Sequence, residues 1–336
     1  MTQASTTADN VPFVRTPDAN FEGLADFSFP ANYLAFEGLR LHFVDVGPAD
    51  GPVALLTHGM PTWSFLYRHI IASLCAAGWR CIAADHIGFG RSDKVTDEGW
   101  YSIGRHVASH RALVEALDLR DTTLFCQDWG GPIGLAQVAE APERFSRLVI
   151  MNTWLHHAGY EYTPALRQWN AQWQPGGLFE VNIPDPLSIG WFMMLATGRM
   201  APSDLFGIIG ERRYPELDSE AAAARRGYDA PFEGVCVEAC AGPRRFPLSL
   251  PFYDPARGAA DDQARWHEAL SRWRKPVHFI WGGQDAVFTE AWGRKWASEF
   301  PQATFDLLPL ARHFLQETHG REIAEIFLRR VAEERQ

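Results

Sequence analysis

Short apolar runs and longer amphipathic stretches follow one another along most of the chain, and they predict strands and helices in alternation. Apolar and polar residues alternate at 33–36 and 41–46, on either side of Glu37-Gly38, which predicts a β-hairpin. Further strands are predicted where short runs are almost wholly apolar, at 53–57, 81–84, 122–126, 148–152, 277–281 and 304–308. Helical spacing is found at 62–77, 103–117, 130–139, 289–299 and 322–333. This alternation is typical of a mostly parallel, doubly wound sheet.

The alternation stops between residues 154 and 251. This stretch is rich in proline and tryptophan, is largely helical in its spacing and contains no convincing strand. We therefore predict one α/β core, formed by residues 1–153 and 252–336, that is interrupted by a helical cap at 154–251. Residues 1–30 are rich in Pro, Asn, Asp and Thr, and we expect them to lie as an arm over the surface.

Composition narrows the class of protein. A hydrophobic content of 46% and 13 tryptophans among 336 residues indicate a well-packed globular protein. The net charge of −10 argues against nucleic acid as a partner, because phosphates would be repelled. The amino terminus lacks the cationic start and apolar stretch of a signal peptide, and no apolar run is long enough to cross a membrane, so we expect a cytoplasmic protein.

The five cysteines lie in apolar surroundings and are odd in number. They are predicted to be buried free thiols, as expected in a reducing compartment. The cysteines are Cys75, Cys81, Cys126, Cys236 and Cys240.

The turn that follows the strand predicted at 122–126 carries a candidate nucleophile, Asp128. A sharp strand-to-helix turn needs small residues around its nucleophile, a demand that Cys126, Gly130 and Gly131 meet. A carboxylate is already ionised at neutral pH, so it can attack saturated carbon without a base and form an alkyl ester. An Asp at the start of a helix is also a common N-cap, so the nucleophile hypothesis depends on its partners.

Two later residues complete a candidate triad. Hydrolysis of the ester requires a histidine that activates water and an acid that orients the histidine. His313 follows the last predicted strand, and Asp285 directly follows the strand predicted at 277–281, at the sheet edge where catalytic groups collect. The order nucleophile, acid, histidine is that of the α/β-hydrolases.

Donors for an anion lie near the nucleophile. In α/β-hydrolases the residue after the nucleophile and a residue beyond an earlier strand supply backbone N–H groups to an oxyanion hole, and here these are Trp129 and Met60. The Trp129 indole N–H can only donate, which suits it to hold a departing anion such as chloride or bromide.

Three segments together resemble the haloalkane dehalogenases: 58–68 (HGMPTWSFLYR), 87–94 (IGFGRSDK) and 127–131 (QDWGG). The resemblance extends from about residue 14 to the last helix and is weakest at 154–251. It implies an α/β-hydrolase fold with a mostly parallel eight-stranded sheet, flanking helices and an inserted helical cap. It also implies displacement of halide by an Asp, hydrolysis of the ester by a His-activated water, and no cofactor or metal. The implied partners are a small apolar halogenated substrate, water and halide, acting in a monomer or small homo-oligomer.

Two details of the resemblance concern individual residues. Members of one branch place the acid after the sixth strand, where this chain has Asn152, so the chain resembles the branch with the later acid, at Asp285. In that branch a tryptophan of the cap is the second halide donor, and the segment 164–169 (PALRQW) favours Trp169, with two alternatives, Trp173 and Trp191. Met60 is a departure, because the branch often has Glu there. The backbone N–H is still present at Met60, but any role of the Glu side chain in placing water is lost.

Two other functions compete with dehalogenation. An epoxide hydrolase shares the Asp nucleophile and uses two cap tyrosines as proton donors, and four tyrosines are available: Tyr160, Tyr162, Tyr214 and Tyr228. The segment 61–64 (PTWS) favours the dehalogenase. A non-catalytic binding protein on this fold is disfavoured by the intact Asp128, Asp285 and His313 set. His106 and His110 lie four residues apart, but no neighbouring Glu supports a metal site there.

Overall fold

The computed structural model describes residues 4–334, in which eleven strands and twelve α-helices follow one another. The strands are β1 (Ser5–Thr6), β2 (Pro12–Val14), β3 (Asn32–Phe36), β4 (Leu39–Val46), β5 (Val53–Thr57), β6 (Arg80–Ala84), β7 (Lys94–Val95), β8 (Thr122–Asp128), β9 (Phe145–Thr153), β10 (Val277–Gly282) and β11 (Ala303–Leu308). The helices are α1 (Arg68–Ala76), α2 (Ile103–Ala116), α3 (Gly130–Glu140), α4 (Pro164–Trp173), α5 (Leu178–Asn182), α6 (Ile189–Thr197), α7 (Pro202–Glu211), α8 (Ser219–Asp229), α9 (Ala241–Arg245), α10 (Ala260–Leu270), α11 (Glu290–Ala297) and α12 (Leu315–Glu333).

Eight of the strands form one sheet, in the order β11-β10-β9-β8-β5-β6-β4-β3. The hairpin of β3 and β4 joins its edge in antiparallel fashion, and all the other pairings are parallel. The predicted mostly parallel eight-stranded sheet is therefore confirmed. All seven residues of β8 are buried, which explains why apolar and polar residues do not alternate along it.

Two predicted helices differ from the structure. The helix predicted at 62–77 begins only at Arg68, because Ser64–Tyr67 forms a 3-10 turn. The last helix begins at Leu315, seven residues before the predicted start at 322. It is kinked at His319, whose φ of −130° is not helical, and Gly320 beside the kink packs closely against His69 of α1.

The amino-terminal arm is more structured than predicted. Its strands β1 and β2 form a small antiparallel sheet with β7. Phe13, Phe21 and Phe27 are buried, with Phe21 and Phe27 against the Trp63 ring. The prediction that residues 1–30 lie over the surface was wrong for these buried side chains. They are widely spaced among polar residues, so the sequence of the arm shows no apolar run.

The stretch predicted as a cap, 154–251, contains α4 to α9 and, within the described chain, no strand. It leaves the sheet at the end of β9 and returns before α10, so it lies over the carboxyl ends of the strands. Among the helices of the remaining chain, α1 packs on α12, α3 packs on α2 and α10, and α11 packs on β10 and β11.

The five cysteines are all free thiols. Cys81, Cys126 and Cys240 are buried as predicted, whereas Cys75 is half-buried and Cys236 is exposed, so for these two the prediction of burial was wrong. Cys236 precedes a short 3-10 turn at the surface, and its apolar neighbours in sequence do not cover it. Between residues 4 and 334, no helix is both long and apolar enough to cross a membrane.

Candidate active site

Asp128 is the last residue of β8 and has a left-handed backbone, with a φ of +51°. Its turn is possible because glycines surround it. A side chain at Gly59 would collide with the Asp128 carboxylate, and one at Gly130 or Gly131 would collide with Thr57 or Thr153. The strained backbone therefore lifts the carboxylate out of the sheet edge at the start of α3.

The Asp128 carboxylate is held from one side and open on the other. The Met60 N–H donates a hydrogen bond of 2.9 Å to Oδ1 of Asp128. The Thr153 hydroxyl donates to the backbone carbonyl of Asp128 over 2.5 Å. Oδ2 is left facing the His313 ring, whose Nε2 lies 3.5 Å away. The Met60 backbone N–H thus lies beside the candidate nucleophile, in the position predicted from the sequence.

His313 lies between two carboxylates. Its Nδ1 is 2.8 Å from Oδ2 of Asp285, on the side opposite Asp128. Burial disfavours the imidazolium, but the Asp285 charge and the hydrogen bonds to both carboxylates outweigh it and raise the pKa of His313 to about 10. With Asp128 ionised, the histidine is therefore protonated at neutral pH.

Asp285 is fixed by donors on both of its oxygens. Oδ1 accepts from the backbone N–H groups of Val287 and Phe288, at 2.7 and 3.2 Å. Oδ2 accepts from the Asn152 amide at 2.9 Å as well as contacting His313. Asn152 had no predicted role beyond its exclusion as the acid. Its position at the end of β9, next to the strand that carries Asp285, was the signal that could have identified it.

A cavity of about 350 Å³ opens above Asp128 and His313. Trp129 and Trp169 both line it, whereas Trp173 and Trp191 do not. Within residues 4–334 the indole N–H groups of Trp129 and Trp169 donate to no acceptor, so each can donate to an anion. The buried indole N–H of Trp154, which also lines the cavity, is unpaired among the same residues as well. Of the three candidate tryptophans at 154–251, only Trp169 reaches the cavity.

The apolar walls of the cavity were not identified from the sequence. They come from both parts of the chain, since helical side chains from 154–251 face a loop that follows β10. The wall residues are Trp154, Leu166, Phe192, Leu195, Leu250 and Val287. Which face of a helix reaches a cavity depends on tertiary packing, so no local pattern singles these residues out.

The tyrosines that an epoxide hydrolase would require lie elsewhere. None of Tyr160, Tyr162, Tyr214 and Tyr228 lines the cavity in the described chain. The Tyr228 hydroxyl instead donates to Glu317 over 2.6 Å, and the Tyr162 hydroxyl lies 2.9 Å from Nδ1 of His156.

A cluster of buried histidines packs next to the loop that carries Met60. Nε2 of His58 accepts a hydrogen bond from the His86 backbone N–H at 3.0 Å, and the His86 ring contacts Nε2 of His110 at 2.8 Å. Burial lowers the pKa of His58 to about 4 and that of His110 to about 3. His106 packs against the same group, so the pair of histidines seen in the sequence belongs to an uncharged core cluster.

Residues 52–200 match the family model described as alpha/beta hydrolase fold. A haloalkane dehalogenase of Mycobacterium marinum is 39% identical over 321 residues, which cover 93% of this chain and 97% of the relative. One from Psychrobacter cryohalolentis is 34% identical over 324 residues, covering 94% and 96%. The structure of the haloalkane dehalogenase DpaA from Paraglaciecola agarilytica aligns with a TM-score of 0.77 at 31% identity, covering 93% and 96%.

These findings confirm the α/β-hydrolase fold and the predicted resemblance. They support hydrolytic cleavage of carbon–halogen bonds and do not favour the epoxide hydrolase alternative. The similarity spans nearly the whole length of this chain and of each relative, including the part at 154–251 where the sequence motifs were weakest. This chain belongs to the haloalkane dehalogenase family.

Proposed function

We propose that Asp128, His313 and Asp285 carry out the hydrolytic dehalogenation of this family as nucleophile, base and orienting acid. The observation that supports this most strongly is the position of His313 between two carboxylates, one of which, Asp128, faces an apolar cavity. We further propose that residues 154–251 act as a cap that closes this cavity, with 1–153 and 252–336 as the core.

In the first step, Oδ2 of Asp128 attacks the carbon that carries the halogen. A carbon–oxygen bond forms, the carbon–halogen bond breaks, and the halide leaves with the bonding electrons. Negative charge therefore moves from the carboxylate to the halide. The indole N–H groups of Trp129 and Trp169 have no acceptor within residues 4–334, and we assign them to the departing halide.

Formation of the ester changes the state of His313. The resting imidazolium is stabilised by two carboxylates, and esterification removes the charge of Asp128. The pKa of His313 must then fall, because only Asp285 still favours the charged ring. The histidine releases its proton to solvent and becomes the neutral base that the second step requires.

In the second step, neutral His313 takes a proton from water as the water oxygen attacks the ester carbonyl carbon. The oxyanion that forms lies beside the Met60 N–H, with the Trp129 N–H as the second proposed donor. Collapse breaks the bond to the alkoxide, which takes the proton back from His313. The acid form of Asp128 then returns its proton to the ring. The net reaction gives alcohol, halide and one proton.

A substrate panel tests this proposal. Purified protein is offered chlorinated and brominated alkanes and, separately, epoxides of the styrene oxide type. We expect halide and alcohol from the first set without added cofactor or metal, because every group in the two steps belongs to the chain. Diol formation together with no halide from any haloalkane would contradict the proposal.

Two properties of the whole protein belong to the same proposal. The structure of DpaA is tetrameric, and we propose that this chain acts as a monomer or small homo-oligomer, which sedimentation can decide. We also propose a cytoplasmic location, which fits its free thiols.

A further inference from the structure

Three potential metal ligands converge at a site remote from the triad. His157 lies in the loop after β9, His267 lies in the last turn of α10, and Glu299 follows α11. Their ligand atoms all lie within 4.8 Å of one another, a property that no other His, Cys, Asp and Glu trio of residues 4–334 shares. The imidazole rings of His157 and His267 are stacked, with centroids 3.7 Å apart and planes 11° from parallel.

The hydrogen bonds of His157 prepare one nitrogen to act as a ligand. Its Nδ1 lies 2.9 Å from the Leu155 carbonyl, so this nitrogen carries the proton and donates it. The proton-free Nε2 keeps its lone pair. Metal-binding histidines usually donate their other N–H to a carbonyl or carboxylate in this way. Gly159 leaves space here, since a side chain at this position would come within 3.2 Å of His157 Nε2.

His267 supplies a second, independent observation. Its Nε2 lies 3.0 Å from Oε2 of Glu299, in a position that is shielded from solvent. The angle between them does not allow a hydrogen bond, so this nitrogen has no hydrogen-bond partner among the described residues. Nε2 of His267 is therefore a buried nitrogen without a partner within residues 4–334, although it lies beside a carboxylate. A cation between this nitrogen and the Glu299 carboxylate would bind both groups.

We propose that His157, His267 and Glu299 bind a divalent transition-metal ion of the zinc class. Two imidazole nitrogens and one carboxylate oxygen suit Zn²⁺, which prefers four ligands at about 2.0–2.2 Å and can take water as the fourth. Tetrahedral ligand atoms then lie roughly 3.3 Å apart. Binding therefore requires the three ligand atoms to approach one another and the two imidazole rings to rotate out of their stack, so that both nitrogen lone pairs point at the metal.

The metal would join three parts of the chain. His157 stands four residues after Thr153, at the point where the chain leaves the sheet for the 154–251 segment. His267 and Glu299 both belong to the returning part of the core. Binding would therefore fasten the entry to that segment onto α10 and α11, and metal that binds only the folded form raises Tm by mass action.

The test uses untagged full-length protein stripped with a chelator and titrated with ZnCl₂ by calorimetry. The Cys236→Ser background removes the exposed thiol as a competing ligand. We expect one Zn²⁺ per chain and a higher Tm with zinc. In His267→Gln and in Glu299→Gln the affinity falls about tenfold or more. The matched control, His319→Gln, removes a half-buried histidine in the α12 kink and keeps the affinity.

The readouts separate this site from the active site. Co²⁺ gives a visible absorption band when bound by four ligands, and we expect this band in the control but not in the two ligand variants. Glu299 is exposed, so Glu299→Gln keeps the fold even if His267→Gln does not. Zinc binding that is absent, or that is equally strong in Glu299→Gln and the control, overturns the proposal. Halide release by the metal-free protein is measured in parallel and depends on neither result.

Discussion

The sheet edge and the 154–251 segment contribute to the same cavity by different means. At the edge, Asp128 and Asp285 follow the ends of buried strands, and the backbone N–H groups of Met60, Val287 and Phe288 hold their carboxylates. In the segment, Trp169 and its neighbours act through side chains on helices. Backbone geometry therefore positions the proposed reacting groups, whereas helix packing shapes the cavity proposed to hold the substrate. Substitutions of the reacting atoms at the sheet edge should abolish activity. Substitutions in the 154–251 segment should instead change binding affinity by moderate amounts.

The largest effect is expected at the proposed nucleophile, Asp128. Asp128→Ala removes the attacking oxygen, and we predict a fall in kcat of about 10⁴-fold or more, as for other residues that form a covalent intermediate. Halide release from a bromoalkane measures it. The variant should fold normally, since the side chain is shorter and Gly59 gains room. Residual activity within tenfold of the native enzyme would remove Asp128 from the mechanism.

The helical segment is tested at Trp169. Trp169→Phe keeps the aromatic wall but loses one hydrogen bond to an anion, which costs about 1.5–3 kcal/mol, or roughly ten- to a hundredfold in halide affinity. Quenching of tryptophan fluorescence by bromide measures the affinity. Trp191→Phe is the matched control, because this ring stacks on Tyr214 outside the cavity and should leave halide binding unchanged. The reverse result would transfer the halide role to Trp191.

The two kinds of histidine make opposite contributions to stability. The pKa of His313 is raised to about 10, so between pH 6.5 and 10 the folded chain holds a proton that the unfolded chain lacks. The free energy of unfolding then decreases as pH rises, by up to about 1.4 kcal/mol per pH unit. The pKa values of His58 and His110 are lowered to about 4 and 3, so these histidines resist protonation in the folded chain. The free energy of unfolding therefore decreases as pH falls below 6.5.

Urea denaturation across this pH range separates the two effects. In His313→Gln the decline on the alkaline side should become smaller, while the acid side keeps its slope. Lysines, tyrosines and thiols also titrate at high pH, but they are present in both proteins. The native enzyme is therefore the matched control for their contribution. An unchanged alkaline slope would show that His313 is not protonated beside Asp128.

The smallest effect is expected at Met60. Its N–H donates to Asp128, and its side chain only lines the cavity, so Met60→Leu should change kcat by about threefold or less. A steady-state assay with one bromoalkane suffices. A loss of a hundredfold would show that the side chain, not the backbone, serves the reaction.

The sequence predicted the sheet-edge region well because its signals are local. Small residues around Asp128 and apolar runs before Asp285 reflect short-range steric and burial demands. The same runs predicted the mostly parallel sheet, and the resemblance implied its eight strands. Trp169 was preferred over Trp173 and Trp191 only by resemblance, since helical spacing alone does not show which ring faces a cavity.

Other features depend on contacts between distant parts of the chain. Asn152 donates to Asp285 across 133 positions, and Phe21 of the arm packs on Trp63. His157 and His267 stack although 110 positions separate them in the sequence. No periodicity within a short window reports such pairs, because each depends on how complete elements pack.

The central claim is that Asp128 forms an alkyl ester that only a neutral His313 can resolve. His313→Gln protein is mixed with a short bromoalkane, and its intact mass and a digest are recorded with the bromide released. We predict one bromide per chain and a mass increase of one alkyl group located on Asp128, because the amide cannot take a proton from water. Sustained turnover, or an Asp128 that remains unmodified while bromide is released, would contradict the account.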